Sequence, residues 1–388
     1  MKKMRIGVLT GGGDCPGLNA AIKWIVYGAT YHDSIGHLKK PIEILAIKEG
    51  WEGILMLDPK KGVKDERYIL ALSTPVVRRI DRDGGTAIGT SRTNPFAMKH
   101  GKKGAKTDMS AVVARNMEIL GLDALIAIGG EDTLGVANKL HQRYDIPVVG
   151  IPKTIDLDLP GTEYSLGFDS AVNNIKVLID RARTVAGSHR KTAVVEVMGR
   201  HSGFLALSGG IVSSAHFILI PEYPFAISDL EALIRDRMHL KSRYTLIVVA
   251  EGATERGGQF VARRKVTDAF GHIHLGGIGE ILADQIEART GLDTFAEKLG
   301  YLQRGGDPSA YDVKMGFCFG TTAVGLIVNK QYGKMVAVQG GAITAVPLSV
   351  LNGTTRVVNV DLMYDRKRLN VRRDSSLNWL VWSGEPRR

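Results

Sequence analysis

Cysteine is almost absent. The 388 residues contain two, Cys15 and Cys318, and neither has a CxxC spacing, so the chain carries neither a disulfide framework nor a cysteine-built metal site. No apolar run approaches the ~18–20 residues of a membrane span. The apolar stretch that follows Lys2, Lys3 and Arg5 stops after Leu9, too short for a secretory leader. Aromatic residues make up 6% and are not interleaved with the basic stretches, which argues against a surface that stacks single-stranded nucleic acid. Low-complexity segments and repeats of solenoid period are also missing. These absences predict a soluble, cytoplasmic protein that engages neither membrane nor nucleic acid.

Glycine is abundant, at 46 residues, and the net charge is +11. Many glycines cluster after apolar runs, where they let backbone approach a ligand. Basic residues gather at Lys102–Lys106 and at Arg366, Lys367, Arg368, Arg372 and Arg373; both stretches read as solvated basic surface. Short apolar runs alternate with amphipathic stretches. Ile6–Leu9, Ala124–Ile128, Pro147–Ile151, Val194–Val197 and Leu246–Ala250 read as buried strands, and Asn19–Ala29, Thr133–Arg143 and Ser170–Ala186 as helices. Continuous apolar strands between helices indicate parallel sheets covered on both faces. The fold class is therefore α/β, in two similar lobes with a boundary near Gly167–Asp169. In such sheets ligands lie beyond the carboxyl ends of the strands, which singles out the segments after Leu9, Ile128, Ile151, Val197 and Ala250.

All five segments carry unusual residues. Thr10-Gly11-Gly12-Gly13-Asp14-Cys15-Pro16-Gly17 joins a strand to a helix, a place where backbone N–H groups and a helix N-terminus favour phosphate. It is neither GxGxxG nor GxxxxGK[ST], which counts against a dinucleotide oxidoreductase and against a P-loop. Gly129-Gly130-Glu131-Asp132-Thr133 places two acids after two glycines, which suits a divalent metal between acid and phosphate; helix capping by Asp132 or Thr133 is the alternative. Lys153-Thr154-Ile155-Asp156-Leu157-Asp158 sets two carboxylates two residues apart. In an extended segment they project to one side, one as base toward a hydroxyl and Lys153 as counter-charge for a transferring group. Met198-Gly199-Arg200 and Glu251-Gly252 stand at later strand ends, and Gly300-Tyr301-Leu302-Gln303-Arg304 forms a turn; arginine suits phosphate and glutamate suits sugar hydroxyls.

The ordered set GGGDCPGLNAAI, IGTSR, GGEDTLG, PKTIDLDL, SLGFDSA, VVEVMGRHSG, AEG and LGYLQRGG, over residues 5 to 320, with VAVQGGAITAVPL near the end, resembles the phosphofructokinase family. The resemblance implies two Rossmann-like lobes with the active site in the cleft. Residues 1–167, completed by about 303–350, would bind the donor. Residues 168–302, completed by about 351–388, would bind the sugar phosphate. It implies Asp156 as catalytic base toward the sugar 1-hydroxyl, with Asp158 beside it and Lys153 and Arg200 at the transferring group. Thr154, Lys191, Met198, Gly199, Arg200, Glu251, Tyr301 and Arg304 would contact fructose 6-phosphate. Gly13, Arg92, Asp132, Thr133 and Lys153 would contact the donor, and Glu131 a magnesium ion. A homo-oligomer, dimer or tetramer, is implied as well.

The donor follows from two departures. ATP-type members usually read GGDGS or GGDGT and then PGTIDND; this chain has Asp132 and Lys153 where those have glycines, which looks like the pyrophosphate-dependent branch. A carboxylate at Asp132 repels the inner phosphate of ATP, and Lys153 supplies a cation for pyrophosphate. An ATP-dependent phosphofructokinase is the alternative, as is a kinase of another sugar phosphate such as sedoheptulose 7-phosphate. Three more departures bear on the sugar. Leu157 replaces an asparagine between the acids. Lys191 and Phe295 fall where arginines from a neighbouring subunit are expected, with Lys298 the cation nearest to Phe295.

Overall fold

The computed structural model describes residues 3–35, 41–99, 106–240, 242–258, 262–267, 273–351 and 353–373. Most of the Lys102–Lys106 stretch and the last fifteen residues of the expected second lobe lie outside them. The larger sheet runs in the order Ala342–Pro347, Lys334–Gln339, Val148–Pro152, Ala124–Gly129, Met4–Gly11, Ile42–Ile47, Ile69–Leu72, with Thr90–Ser91 pairing beside Met4–Gly11. Its centre is parallel and only the two outermost pairs are antiparallel. The smaller sheet is wholly parallel, in the order Phe217–Leu219, Thr245–Ala250, Thr192–Val197, Thr294–Lys298.

Side-chain alternation along the central strands explains the layering. Ile6, Val8, Ile126 and Ile128 enter one apolar cluster, while Leu9, Leu125 and Ala127 enter another on the opposite face. A strand with period two and apolar residues on both faces must be covered on both. The first cluster continues through Phe168 and Ile175 of the helix Phe168–His189 to Val194 and Val248 of the smaller sheet, so one core spans the two sheets.

The chain returns late to complete both halves. The helix Ala310–Val328 packs on Leu18–Ser34, and the strands Lys334–Gln339 and Ala342–Pro347 then extend the larger sheet. The hairpin Tyr364–Asp365 and Asn370–Val371 docks on the smaller sheet, where Tyr364 Oη donates to Ile218 O at 2.6 Å and Ile218 N to Leu369 O at 2.8 Å. Asp312 locks the return. Fully buried, its carboxylate accepts from Gly167 N, Ser170 N, Ser170 Oγ and Tyr164 Oη at 2.6–2.9 Å. It thereby holds the first turn of Phe168–His189, whose N-cap, Gly167, offers no side chain.

Candidate active site

The glycine loop after the first strand is shaped by what crowds it. Gly12 is left-handed, with φ 79°. A Cβ on Gly13 would fall 2.8 Å from Arg304 Nη1, and one on Gly11 would fall 2.5 Å from Thr133 Oγ1, so side chains there would displace the neighbours that define the loop. Gly12 N donates to Ser91 O at 3.0 Å and Thr90 Oγ1 to Gly12 O at 2.8 Å.

The next strand end differs from expectation. Its helix, Glu131–Tyr144, begins two residues before Thr133, with Gly130 as N-cap and no side-chain capping bond. Asp132 and Thr133 do not cap it. Glu131 and Asp132 instead occupy its first turn, where the helix dipole favours negative charge, and Thr133 is buried.

The Lys153–Asp158 segment is bent rather than extended. The chain bends at Ile155 and Asp156, and Leu157 is left-handed with φ 55°. Side-chain alternation along a strand therefore does not bring Asp156 and Asp158 together. Thr154 Oγ1, which accepts from Asp156 N at 3.1 Å, and the late-chain Arg356 hold the turn. Arg356 N donates to Asp158 O at 2.8 Å and its Nη1 to Leu157 O at 3.3 Å, while the guanidinium stacks on Phe204. Both carboxylates reach the same cleft. Asp156 Oδ1 is buried with no hydrogen-bond partner among the described residues. Burial, then the charge of Asp156, pushes Asp158 up to about 7. Lys153 is buried at 3% exposure. Its Nζ donates to Gly13 O, and burial, with Arg304 and Arg92 adding to it against Cys15, pushes it down to about 8. Cys15 itself is a packed thiol, which burial pushes up to about 12.

Close backbone contact shapes the cleft at the carboxyl ends of the smaller sheet. Gly199 has φ 125°, and a Cβ on Gly252 would overlap Arg200 O. Met198 N donates to the buried Gln303 Oε1 at 3.2 Å, and Ser202 Oγ to Asp156 O at 3.2 Å. Glu251 is pushed up to about 7, by burial and then by Asp156, against the opposing charge of Arg200. Arg304, expected on the sugar's phosphate, donates to Asp14 O at 3.2 Å and lies on the glycine loop.

A cleft of about 290 Å³ collects these groups. Every expected site residue lines it except Gly199, whose role is conformational, and Lys191. The latter sits just before the amino end of Thr192–Val197 and pairs with Asp293 at 2.7 Å, so this chain does not bring it to its own cleft. A second cavity of about 330 Å³ continues from Gly12–Asp14 over Thr90–Arg92. His201, Lys298, Gly300 and Thr355 also line the cleft without having been singled out as contacts. His201, Lys298 and Gly300 adjoin motifs and could have been found, whereas Thr355 comes from the late return. Phe295 packs against the core. The basic stretch around Arg366–Arg373 lies apart, with Arg366 and Arg368 paired to Asp361 and Asp365. No described helix is long and apolar enough to cross a membrane.

The family model described as Phosphofructokinase matches residues 5–327. A Streptomyces coelicolor protein named pyrophosphate–fructose 6-phosphate 1-phosphotransferase is 43% identical over 358 residues, covering 92% of this chain and 96% of its own. Its namesake from Amycolatopsis methanolica is 45% identical over 357 residues, with coverage of 92% and 96%. An ATP-dependent 6-phosphofructokinase of Chloroflexus aggregans is 41% identical over 350 residues, with coverage of 90% and 91%. Among solved structures, Saccharomyces cerevisiae phosphofructokinase superposes with TM-score 0.74 at 27% identity over 90% of this chain, which spans 45% of that longer one. The pyrophosphate-dependent phosphofructokinase of Marinobacter aquaeolei gives TM-score 0.76 at 21% identity, covering 95% and 89%; at that identity the likeness is one of fold. With its motifs gathered in one cleft and its sequence matched over most of its length, this chain belongs to the phosphofructokinase family.

Proposed function

We propose that the protein transfers a phosphoryl group reversibly between pyrophosphate and the 1-hydroxyl of fructose 6-phosphate. The observation that carries the donor is the placement of Lys153, a buried ammonium on Gly13 O under the glycine loop. A cation fixed there suits a compact tetra-anion. Asp132 stands in the same cleft at the start of Glu131–Tyr144, where it disfavours a further nucleotide phosphate.

The chemistry then falls to a few groups. Asp156, whose Oδ1 has no other donor among the described residues, takes the proton of the 1-hydroxyl as that oxygen attacks phosphorus. The bond from phosphorus to the bridging oxygen breaks, and inorganic phosphate leaves. Lys153 and Arg200 face the transferring group, and positioning plus charge neutralisation supplies most of the catalysis. Glu251 and Met198 hold the sugar. In this reading residues 1–167 with 303–350 form the donor lobe, and residues 168–302 with the segment from 351 onward form the sugar-phosphate lobe.

Among the described residues no group of three or more His, Cys, Asp or Glu could hold a metal ion. Magnesium is usually held by one or two carboxylates and by substrate phosphates. Glu131, in the cleft at the start of its helix, would hold it together with the substrate phosphates, and its charge would offset theirs. Assaying purified protein with fructose 6-phosphate and magnesium tests the reading. Pyrophosphate should be far the better donor, and Asp132→Gly with Lys153→Gly should raise ATP use and depress pyrophosphate use. A wild type that prefers ATP at equal concentration would overturn the donor assignment.

A further inference from the structure

Tyr301 and Arg304 enter the cleft from one short turn, Gly300–Arg304. So short a turn does not fix its own place, and on its outer side Tyr301 and Leu302 are 72% and 64% exposed. Between them and Arg304 stands Gln303, which is fully buried. A buried amide must find partners. Gln303 Oε1 accepts from Met198 N at 3.2 Å, and Nε2 donates to Gly300 O at 3.0 Å. These partners decide which end of the amide is which, because a flipped amide would set its N–H groups against the N–H of Met198.

The two bonds tie the turn to the smaller sheet. Thr294–Lys298 pairs with Thr192–Val197 as far as Lys298 and Glu196, and Leu299 N then donates to Glu196 O at 3.0 Å. The chain swings away at Gly300, which is left-handed with φ 48°. Met198 N lies beyond that point on the neighbouring strand, and the Gln303 side chain serves it in place of a strand carbonyl. Asn174 of the helix Phe168–His189 steadies the other flank, where its Nδ2 donates to Gln303 O at 3.3 Å and Gly305 O at 2.8 Å. Arg304, on the far side, reaches Asp14 O on the glycine loop of the larger sheet.

We propose that Gln303 is a positioning residue for the sugar substrate, setting the spacing between Met198 and Arg200 at the strand end and Tyr301 and Arg304 on the turn. This rests on the reading that Met198, Tyr301 and Arg304 contact fructose 6-phosphate. Gln303 itself is buried behind these groups and touches no substrate. Its two bonds act together: one closes the turn on Gly300, and the other fastens the closed turn to Met198. Groups held at a fixed spacing bind one ligand without first having to be ordered.

The test compares Michaelis constants in the full-length enzyme. Gln303→Met keeps the bulk of the side chain and deletes both bonds. It should raise the constant for fructose 6-phosphate about ten- to a hundredfold, the span for stranding buried polar groups. The constant for pyrophosphate should rise by less than about threefold, since Lys153 is fastened to Gly13 and not to the turn. Gln303→Glu supplies the rescue. A protonated carboxyl accepts from Met198 N and donates to Gly300 O as the amide does, whereas a carboxylate only accepts. Burial favours the protonated form, so sugar affinity in this variant, taken relative to wild type at each pH, should recover at about pH 6 and decline towards about pH 8.5. A side chain that merely fills space gives no such recovery. Unchanged fructose 6-phosphate affinity in folded Gln303→Met, an equal rise for both substrates, or a Gln303→Glu enzyme that recovers at no pH in that window overturns the proposal. Arg304→Ala separates it from the reading beneath it. If that variant weakens sugar binding while the Gln303 variants do not, only the role of Gln303 falls; if neither does, the placement of the sugar at the turn falls.

Discussion

At the residue scale the site is governed by carboxylates withheld from water. Asp156 keeps a buried oxygen without a donor among the described residues, a costly arrangement unless substrate or cation completes it. Asp156→Asn should keep the fold and lower turnover by about 10²–10⁴-fold, the usual worth of a general base; a folded variant with near-normal turnover would remove the assignment. Asp158 and Glu251 are both raised to about 7, each chiefly by burial. Between the ordinary carboxylate range and pH 7 the folded protein therefore holds more protons than the unfolded chain, so stability falls as pH rises through that window and levels off above it. Melting temperature measured without magnesium across pH 4–8 should show this decline, and Asp158→Asn should flatten it. A variant as pH-sensitive as wild type would show that the buried Asp158 carboxyl is not the cause.

At the scale of elements, two features depend on backbone rather than side-chain chemistry. Leu157 combines a left-handed backbone with a buried side chain, and a non-glycine residue there costs roughly 1–2 kcal/mol. Leu157→Ala and Leu157→Gly both delete the side chain, but only glycine relieves the backbone. The glycine variant should be the more stable by about 0.5–1 kcal/mol, reversing the usual order; denaturant unfolding of the pair decides it. Asp312 is the second feature. Asp312→Ala would strand four donors at the start of Phe168–His189, and stability should drop on the order of 3–5 kcal/mol. A drop below about 1 kcal/mol, the net worth of a single hydrogen bond, would mean that water or rearrangement satisfies them.

For the whole molecule, the decisive contact joins residues about 200 apart. Arg356 reaches back from the late return to the turn between Asp156 and Asp158. Arg356→Ala should lower turnover more than it raises either Michaelis constant, because it lets the acids drift without touching substrate. Arg356→Lys should restore part of the loss. Wild-type turnover in Arg356→Ala would show that the turn holds itself.

The layering was legible in the sequence, because apolar periodicity dictates which strands are covered on both faces, and so were the glycine, acid and base types at strand ends, which are local facts. The ordered motifs and the family they resemble placed Asp156, Lys153, Arg200 and Glu251 in one site, and one cleft collects them. The sequence could not determine how the acids converge. Alternation along a strand predicts one side for Asp156 and Asp158, whereas the structure reaches the same end through a left-handed Leu157 held by Arg356. Nor could it place Arg304 beside Asp14, or fix Lys298 against Glu196, which pairs across strands about 100 residues apart. Such groups are selected by strand order and by the late return of the chain, and those are properties of tertiary packing that no window of residues contains.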